Sequence, residues 1–327
     1  MENLSNFPLL RLPTLAIEEV LSTWTPFEII SFSSIPYSNC KHLVDILFDT
    51  RKYQTGVWIL ENLSFHIMGT SVTYRYRVTP NIEEHGVYKF IKVPGDQIEE
   101  MSVYSGAITP LEKWKEIGAA ATNCFKVGLS IIVFDFDTFS ETNKEMTDWL
   151  TLMKASQISA LSVRGKNEQY ADVSYFLEKI ESTIHLFFSV ELKKPMKLPK
   201  VSKELSIHNA GWVTVEELGK LDAPKIGLWN TKLTNKDLNT FLKRWIRMEC
   251  QREMKKLFVT RENPESLVEI LEGIDREEID TERKWKPESY VRVIHDIAEI
   301  RRSDGTMATV RVVQKGMLFF DIFVHMS

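Results

Sequence analysis

The sequence predicts an α/β chain, and three observations carry that prediction. Short capped helices open the chain, alternating apolar runs follow, and from about Pro110 helical and strand-like segments recur in turn. With 327 residues the chain has room for roughly two domains and a large core that needs neither disulfides nor structural metal. Hydrophobic residues make up 43% and charged residues 26%, which sets aside fibrous and wholly disordered classes. The net charge of −4 argues against general nucleic-acid coating. All of that charge falls within residues 1–50, where Arg11 and Lys41 face Glu2, Glu18, Glu19, Glu28, Asp45 and Asp49.

Phe7-Pro8-Leu9-Leu10-Arg11-Leu12-Pro13 is an apolar segment whose prolines oppose a helix. A helix is expected next, with Thr14 as its cap and Ile17, Val20, Leu21 and Trp24 at i, i+3, i+4 and i+7. Thr25-Pro26-Phe27-Glu28 has the form of a capping box with proline first in the helix. A third helix is expected to carry Leu43, Ile46 and Leu47. A helical unit of about 40 residues buries its apolar surface poorly alone. Either the rest of the chain or another polypeptide must cover these leucines.

The run FPLLRLPTLAIEEVLSTWTPFEIISFS closely resembles the F-box of nematode F-box proteins. The resemblance rests on Leu12-Pro13, on the helix with Ala16, Ile17, Val20 and Leu21, and on the helix with Pro26, Glu28, Ile29 and Ile30. It implies a three-helix module that docks on the Skp linker subunit and, through it, on a cullin-based ubiquitin ligase. Carried over residue by residue, the implied docking positions are Leu9, Leu12, Pro13, Ile17, Val20, Leu21, Pro26, Ile29 and Ile30. Ser34-Ile35-Pro36-Tyr37 stands where that family continues with Ser, Lys and Arg, and Trp24 where a smaller apolar residue is usual.

Strands are expected at Val57-x-Ile59, at Val72-x-Tyr74-x-Tyr76-x-Val78 and at Val87 to Ile91. Leu111 to Lys126 then reads as helix, Ser130 to Phe134 as strand, Glu141 to Ala155 as helix and Ala160 to Val163 as strand. Later strands are expected near Leu186, Leu205, Ile226 and Leu257, spaced by about 19–31 residues, close to the period of leucine-rich repeats. No Leu-x-x-Leu-x-Leu-x-x-Asn repeat is present, so the expectation is a degenerate, leucine-rich-repeat-like α/β stack. Asp275 to Lys286 reads as a solvated mixed-charge connection. Ser303-Asp304-Gly305-Thr306 reads as a hairpin turn between Ile297–Arg302 and Met307–Val313, with Leu318 to Val324 as a further strand.

Thr234 and Asp237 frame a capping box, and Leu238, Phe241, Leu242, Trp245 and Ile246 keep helical spacing behind it. The stretch LTNKDLNTFLKRWI is similar to the signature of the second type of nematode F-box-associated domain, over roughly residues 185–260. That resemblance implies a domain that binds substrates and brings no residue-level binding motif with it. The expected organisation is an F-box over 1–50, a β-rich connector over 51–105, the repeat-like α/β domain over 106–274, and a C-terminal segment with a β-hairpin over 275–327.

Catalytic patterns are sparse. Gly-x-Gly-x-x-Gly, the P-loop, His-Glu-x-x-His and Gly-x-Ser-x-Gly do not occur, and the seven histidines are scattered, so neither a cofactor nor a metal is expected. Ile131 to Thr138 ends an apolar strand in Asp135-x-Asp137, in the manner of haloacid-dehalogenase-type phosphatases, where the first Asp attacks phosphorus and the second handles protons. Phe139 and Thr138 depart from that pattern. The basic stretch Lys193 to Lys200 and the cluster Lys243, Arg244, Arg247, Arg252, Lys255 and Lys256 read as solvated faces. Cys40, Cys124 and Cys250 form no disulfide framework, and no signal peptide or bilayer-spanning run is seen, so a cytoplasmic or nuclear place is expected. The expected function is a non-catalytic substrate-recognition subunit of an SCF-type ligase, with an unknown protein target and neither nucleic acid nor membrane as partner. An interaction module outside any ligase is the alternative, and the phosphatase is the third reading.

Overall fold

In a computed structural model the chain is mixed α/β, and residues 8–36, 38–153, 158–261, 267–278, 293–315 and 317–325 are described. It forms two compact units, Met1–Phe134 with Glu145–Ile158, and Asp135–Lys144 with Ser159–Ser327.

The first unit begins with a 3-10 turn, Pro8–Arg11, and then α1 (Thr14–Thr23), α2 (Pro26–Ser33) and α3 (Ser38–Leu47). Its strands are β1 (Gln54–Ile59), β2 (Ser64–Met68), β3 (Val72–Thr79), β4 (Tyr88–Val93), β5 (Asp96–Tyr104) and, after α4 (Pro110–Phe125), β6 (Leu129–Asp135). Most of α5 (Asn143–Leu152) also belongs here. The strands lie in the order β6-β1-β2-β3-β5-β4, parallel between β6 and β1 and between β3 and β5, antiparallel elsewhere. Both α2 and α4 start on a complete capping box, Thr25 with Glu28 and Thr109 with Glu112, each with proline first in the helix. These boxes satisfy amide groups that a helix start otherwise leaves without acceptors.

The helices are held on the sheet by aromatic contacts. Phe27 of α2 is buried with its ring centroid 4.7 Å from Tyr76, 5.6 Å from Tyr74 and 5.9 Å from Tyr88, edge to face with each. Phe48, just past α3, meets Tyr53 and Phe125. Trp114 of α4 donates from Nε1 to the Ser64 carbonyl at 3.1 Å. An ion-pair network across β3 and β5 joins Arg75 to Glu100 at 2.5 Å, Arg77 to Glu100 at 3.6 Å, and Arg77 to Glu84.

The second unit contains β7 (Ile158–Gly165), α6 (Tyr170–Glu178), β8 (Ser182–Val190), β9 (Lys200–Ile207), α7 (Val215–Lys220), β10 (Lys225–Leu228), α8 (Asn235–Ile246), β11 (Lys256–Arg261), α9 (Leu267–Ile270), β12 (Arg276–Glu278), β13 (Val293–Arg301), β14 (Met307–Lys315) and β15 (Met317–Val324). Its strand order is β12-β13-β14-β15-β11-β10-β9-β8-β7. From β8 to β11 the pairing is parallel, and β15 closes antiparallel on β11. Leu205, Ile207, Ile226, Leu228, Leu257 and Val259 alternate along their strands and are buried, as is the stripe of α8 that includes Leu238, Phe241, Leu242 and Trp245. Arg311 and Asp321, opposite each other on β14 and β15, form a buried ion pair at 2.5 Å.

Several local expectations are corrected. Pro8 to Arg11 forms a helical turn after all, because proline suits a first helical position, where no amide donor is needed. Thr14 is the first helical residue rather than the cap: the Pro13 carbonyl already accepts from Ala16 and Ile17, at 2.9 and 3.1 Å. In α3 the buried face is Cys40, Val44 and Phe48 at i, i+4 and i+8, which turns Ile46 outward. The charged run from Asp275 includes strand β12, paired with Ile300, Glu299 and Ala298 of β13. Between β8 and β9 the connection has no helix. Phe7, Tyr37, Ala155 and residues 279–286 lie outside the described residues.

His66 of β2 is buried, stacked on Trp58 with centroids 3.7 Å apart and with Nε2 3.0 Å from the Ser64 hydroxyl. Burial, assisted by the nearby Arg75 charge, pushes its pKa down to about 3. In the unfolded chain the same imidazole titrates near 6.5, so below that pH the unfolded state takes up a proton that the folded state refuses. The stability linked to His66 is therefore full above about pH 6.5 and falls by about 1.4 kcal/mol per pH unit on acidification toward 3. Urea unfolding between about pH 6 and about pH 4 is expected to show that slope in the native chain and a flatter one in His66→Gln. Equal slopes would count against a neutral, buried His66.

Candidate functional site

The candidate partner surface is built from the 3-10 turn, α1 and α3. Helix α1 turns Ile17 and Leu21 inward, where both are buried, and leaves Val20 and Trp24 half-buried. In α2, Pro26, Ile29 and Ile30 are buried together with Phe27 and Phe32. Trp24 meets Phe32 edge to face, with centroids 5.2 Å apart. Leu9 is half-buried, whereas Leu12 and Pro13 are exposed, Leu12 to 42%. Thus the implied docking positions divide into an outer set (Leu9, Leu12, Pro13, Val20) and an inner set (Ile17, Leu21, Pro26, Ile29, Ile30). The inner set supports the shape of the surface, and the outer set is the part that solvent or a partner can reach.

Two outer apolar side chains were not singled out as docking positions from the sequence. Leu15, on α1, is 75% exposed, and Ile46, on α3, is 64% exposed. Leu15 lies off the Ile17-Val20-Leu21-Trp24 stripe, which is the signal that marks it as outward. Ile46 is revealed only by seeing Cys40, Val44 and Phe48 occupy the inner face. Glu18 and Glu19 are exposed among these leucines, so the surface is apolar with an acidic rim. That rim accounts for part of the negative charge concentrated in the first fifty residues.

The carboxylates of Asp135, the last residue of β6, and of Asp137 both accept from backbone amides. Asp135 accepts from the Asp137 amide at 3.0 Å, and Asp137 accepts from the Lys166 amide at 3.1 Å. Buried Asn143 donates to the Phe136 carbonyl at 2.9 Å. Among the described residues, no group of three or more His, Cys, Asp or Glu side chains is placed to hold a metal ion. Cys40, Cys124 and Cys250 are all buried, and burial raises each thiol pKa, which holds them in the protonated, weakly nucleophilic form. Among the described residues, no helix is long and apolar enough to cross a membrane. In the basic stretch before β9, Met196 is buried, and Lys194 sits over the Tyr170 ring at 4.0 Å.

In the second unit, α8 begins on a complete capping box in which Thr234 accepts from the Asp237 amide at 3.2 Å and the Asp237 carboxylate accepts from the Thr234 amide at 2.8 Å. Asn235, beside it, is buried and donates to Glu269 at 2.9 Å, and Asn239 donates to the carbonyls of Ile270 and Glu272 at 2.8 and 2.9 Å. The polar residues of this signature therefore fasten α8 to the segment around α9. Residues 196–259 match the family described as F-box associated. That match runs from Met196 through β9, α7, β10 and α8 to Val259 of β11. The chain is also 24% identical over 269 residues to the Skn-1 dependent zygotic transcript 15 protein of Caenorhabditis elegans, covering 74% of this chain and 76% of that protein. No solved structure matches it. The likeness to the F-box associated family thus covers residues 196–259, and the relative is a nematode protein.

The inner and outer positions differ energetically. Phe27→Ala removes a fully packed ring and is expected to lower stability by about 3–5 kcal/mol. Leu15→Ala, at an exposed position, is expected to change it by less than about 0.5 kcal/mol. Urea unfolding of both variants checks the difference. A large loss at Leu15 would show that this side chain is covered within the folded chain in solution.

Proposed function

We propose that this chain is the substrate-recognition subunit of an SCF-type ubiquitin ligase, working in the cytoplasm or nucleus. Residues 1–50, with α1 to α3, act as the F-box and dock on the Skp linker, which connects them to the cullin. The repeat-like α/β region holds the protein target. The observation that carries this reading is the match of residues 196–259 to the F-box associated family, downstream of an F-box-like opening. Exposed Leu12 and Leu15 support it, since side chains of this size are costly to leave in water and suit a buried interface. In docking, Leu9, Leu12, Pro13 and Val20 meet the linker, while Ile17, Leu21, Pro26, Ile29 and Ile30 keep the helices in register.

The chemistry required of such a subunit is positional. Holding a target near a ubiquitin-charged enzyme raises the effective concentration of its lysines, without any side chain of the receptor entering the reaction. A surface of apolar anchors with an acidic rim suits this role, because the buried anchors supply affinity and the rim charges supply orientation.

The Leu12→Ala, Pro13→Ala double variant is expected to lose co-purification with the Skp linker while keeping the native far-ultraviolet circular dichroism spectrum. Unchanged binding would overturn the reading. If the native chain binds the linker yet supports no ubiquitin transfer to a bound target, the interaction-module alternative stands instead. The non-catalytic assignment has its own check. With magnesium present, the purified protein is expected to leave p-nitrophenyl phosphate intact. Turnover that disappears in Asp135→Asn would establish the phosphatase reading.

A further inference from the structure

The face of β8–β11 and β15 opposite the buried Leu205, Ile226 and Leu257 row has an unusual composition for a solvent-facing sheet. Strand register places its side chains in two rows. His185, Glu204, Lys225, Lys256 and Phe323 lie side by side in the first. Phe187, Ser206, Gly227, Phe258 and Asp321 form the second. Beyond them, Trp229 stacks on His208 at 4.6 Å and meets Phe258 at 5.3 Å, and Phe258 meets Phe319 at 4.9 Å. An aromatic ladder thus crosses four strands or strand ends. Phe187 is 42% exposed, and Trp229, Phe258 and Phe319 are half-buried. Within the ladder lies a hollow of about 290 Å³, lined by Glu204, Lys225, Gly227, Trp229, Lys256 and Phe258.

Gly227 makes the hollow possible. A Cβ at this position would come within 2.6 Å of the Trp229 indole. With glycine there, the indole lies down along the sheet and forms one wall. The charges are equally specific. Lys225 and Lys256 are register partners on adjacent strands, and like charges placed opposite each other destabilise a sheet. Glu204, the register partner of Lys225 on its other side, lies instead near His185 at 3.9 Å. Among the described residues, neither lysine has a carboxylate within ion-pair distance. Lys256 rests over the Phe323 ring at 4.8 Å.

We propose that this sheet face docks an acidic segment of a partner protein, whose carboxylates meet Lys225 and Lys256 and whose apolar side chain enters the hollow between Trp229 and Phe258. Charge complementarity selects the occupant. Two adjacent ammonium groups with no carboxylate at ion-pair distance favour incoming carboxylates, and the hollow beside them favours an aromatic or aliphatic anchor. A nucleic-acid strand fits less well, because Glu204 lines the same hollow and the cations are too few for a run of phosphates. The inference deepens the receptor reading and rests on it: the face becomes the place where the target is read.

The test uses the full chain and a phage-displayed library of random dodecapeptides. Enriched peptides are expected to carry several Asp or Glu residues around an aromatic or aliphatic one. Their synthetic forms are expected to bind more weakly as salt rises. On the Lys225→Glu, Lys256→Glu variant their affinity is expected to fall by at least about tenfold, and Phe258→Ala is expected to reproduce the loss. The Lys225→Arg, Lys256→Arg variant is expected to retain binding, and circular dichroism checks that each variant is folded. No enrichment overturns the proposal. So does enrichment of neutral or basic peptides, binding unmoved by these substitutions, or tighter binding of a thymidine dodecanucleotide at the same face. Linker co-purification is measured on the same preparations. Its loss with peptide binding intact overturns the receptor reading alone, and the reverse pattern overturns only the assignment of this face.

Discussion

The first unit depends on the burial of Phe27 among Tyr74, Tyr76 and Tyr88. This one ring commits the inner face of α2 to the chain's own sheet. Edge-to-face aromatic pairs add directional preference to the area they bury, so the contact holds both the position and the angle of the helix. Once α2 is held, α1 and α3 have little freedom left. Helix α1 must place Ile17 and Leu21 inward, and α3 must do the same with Cys40, Val44 and Phe48. The outer leucines are exposed as a consequence of that commitment.

The second unit follows a different constraint. A parallel sheet buries one set of alternating side chains under helices, and here that set is mostly aliphatic, with Phe188 and Phe320 in the same rows. The opposite set is free to vary, and it has become aromatic and cationic. The same local device occurs in both units. In β1, a Cβ on Gly56 would come within 2.8 Å of Trp58, whose ring stacks on His66. After β10, Trp229 lies over Gly227 and stacks on His208. Burial depresses both imidazole pKa values, with Arg75 and Arg164 assisting respectively, so these rings act as neutral stacking partners. In β1 the arrangement is buried around His66. In the second unit it borders an open hollow, and exposure is what turns a packing device into a recognition surface.

Much of the backbone was legible before any coordinates. The boxes at Thr25-Glu28 and Thr234-Asp237 marked helix starts because a hydroxyl and a carboxylate three residues apart satisfy the first amides of a helix wherever they occur. The strand around Ile131 and those near Leu186, Leu205, Ile226 and Leu257 were legible from short apolar runs. Strand β5 was not, since Asp96-Gln97-Ile98-Glu99-Glu100 has too much charge to read as one. Its acids are retained because Glu100 pairs with Arg75 and Arg77 on β3, and Glu99 accepts from the Tyr88 hydroxyl. Helices α6 and α7 were missed because they are short and their apolar faces are narrow.

The candidate surfaces divide in the same way. The sequence alone determined which residues are apolar in the opening helices and where those helices begin, because capping and periodicity are local properties. It also determined that Leu15 stands off the α1 stripe. Only the tertiary structure decided which apolar residues are consumed within the chain and which face outward, because that depends on what Phe27 packs against across a separation of about fifty residues. The lysine pair had the same origin: Lys225 and Lys256 are distant in sequence and become neighbours only when β10 and β11 pair in parallel register. Cross-strand neighbours are set by register, and register is a property of the folded sheet.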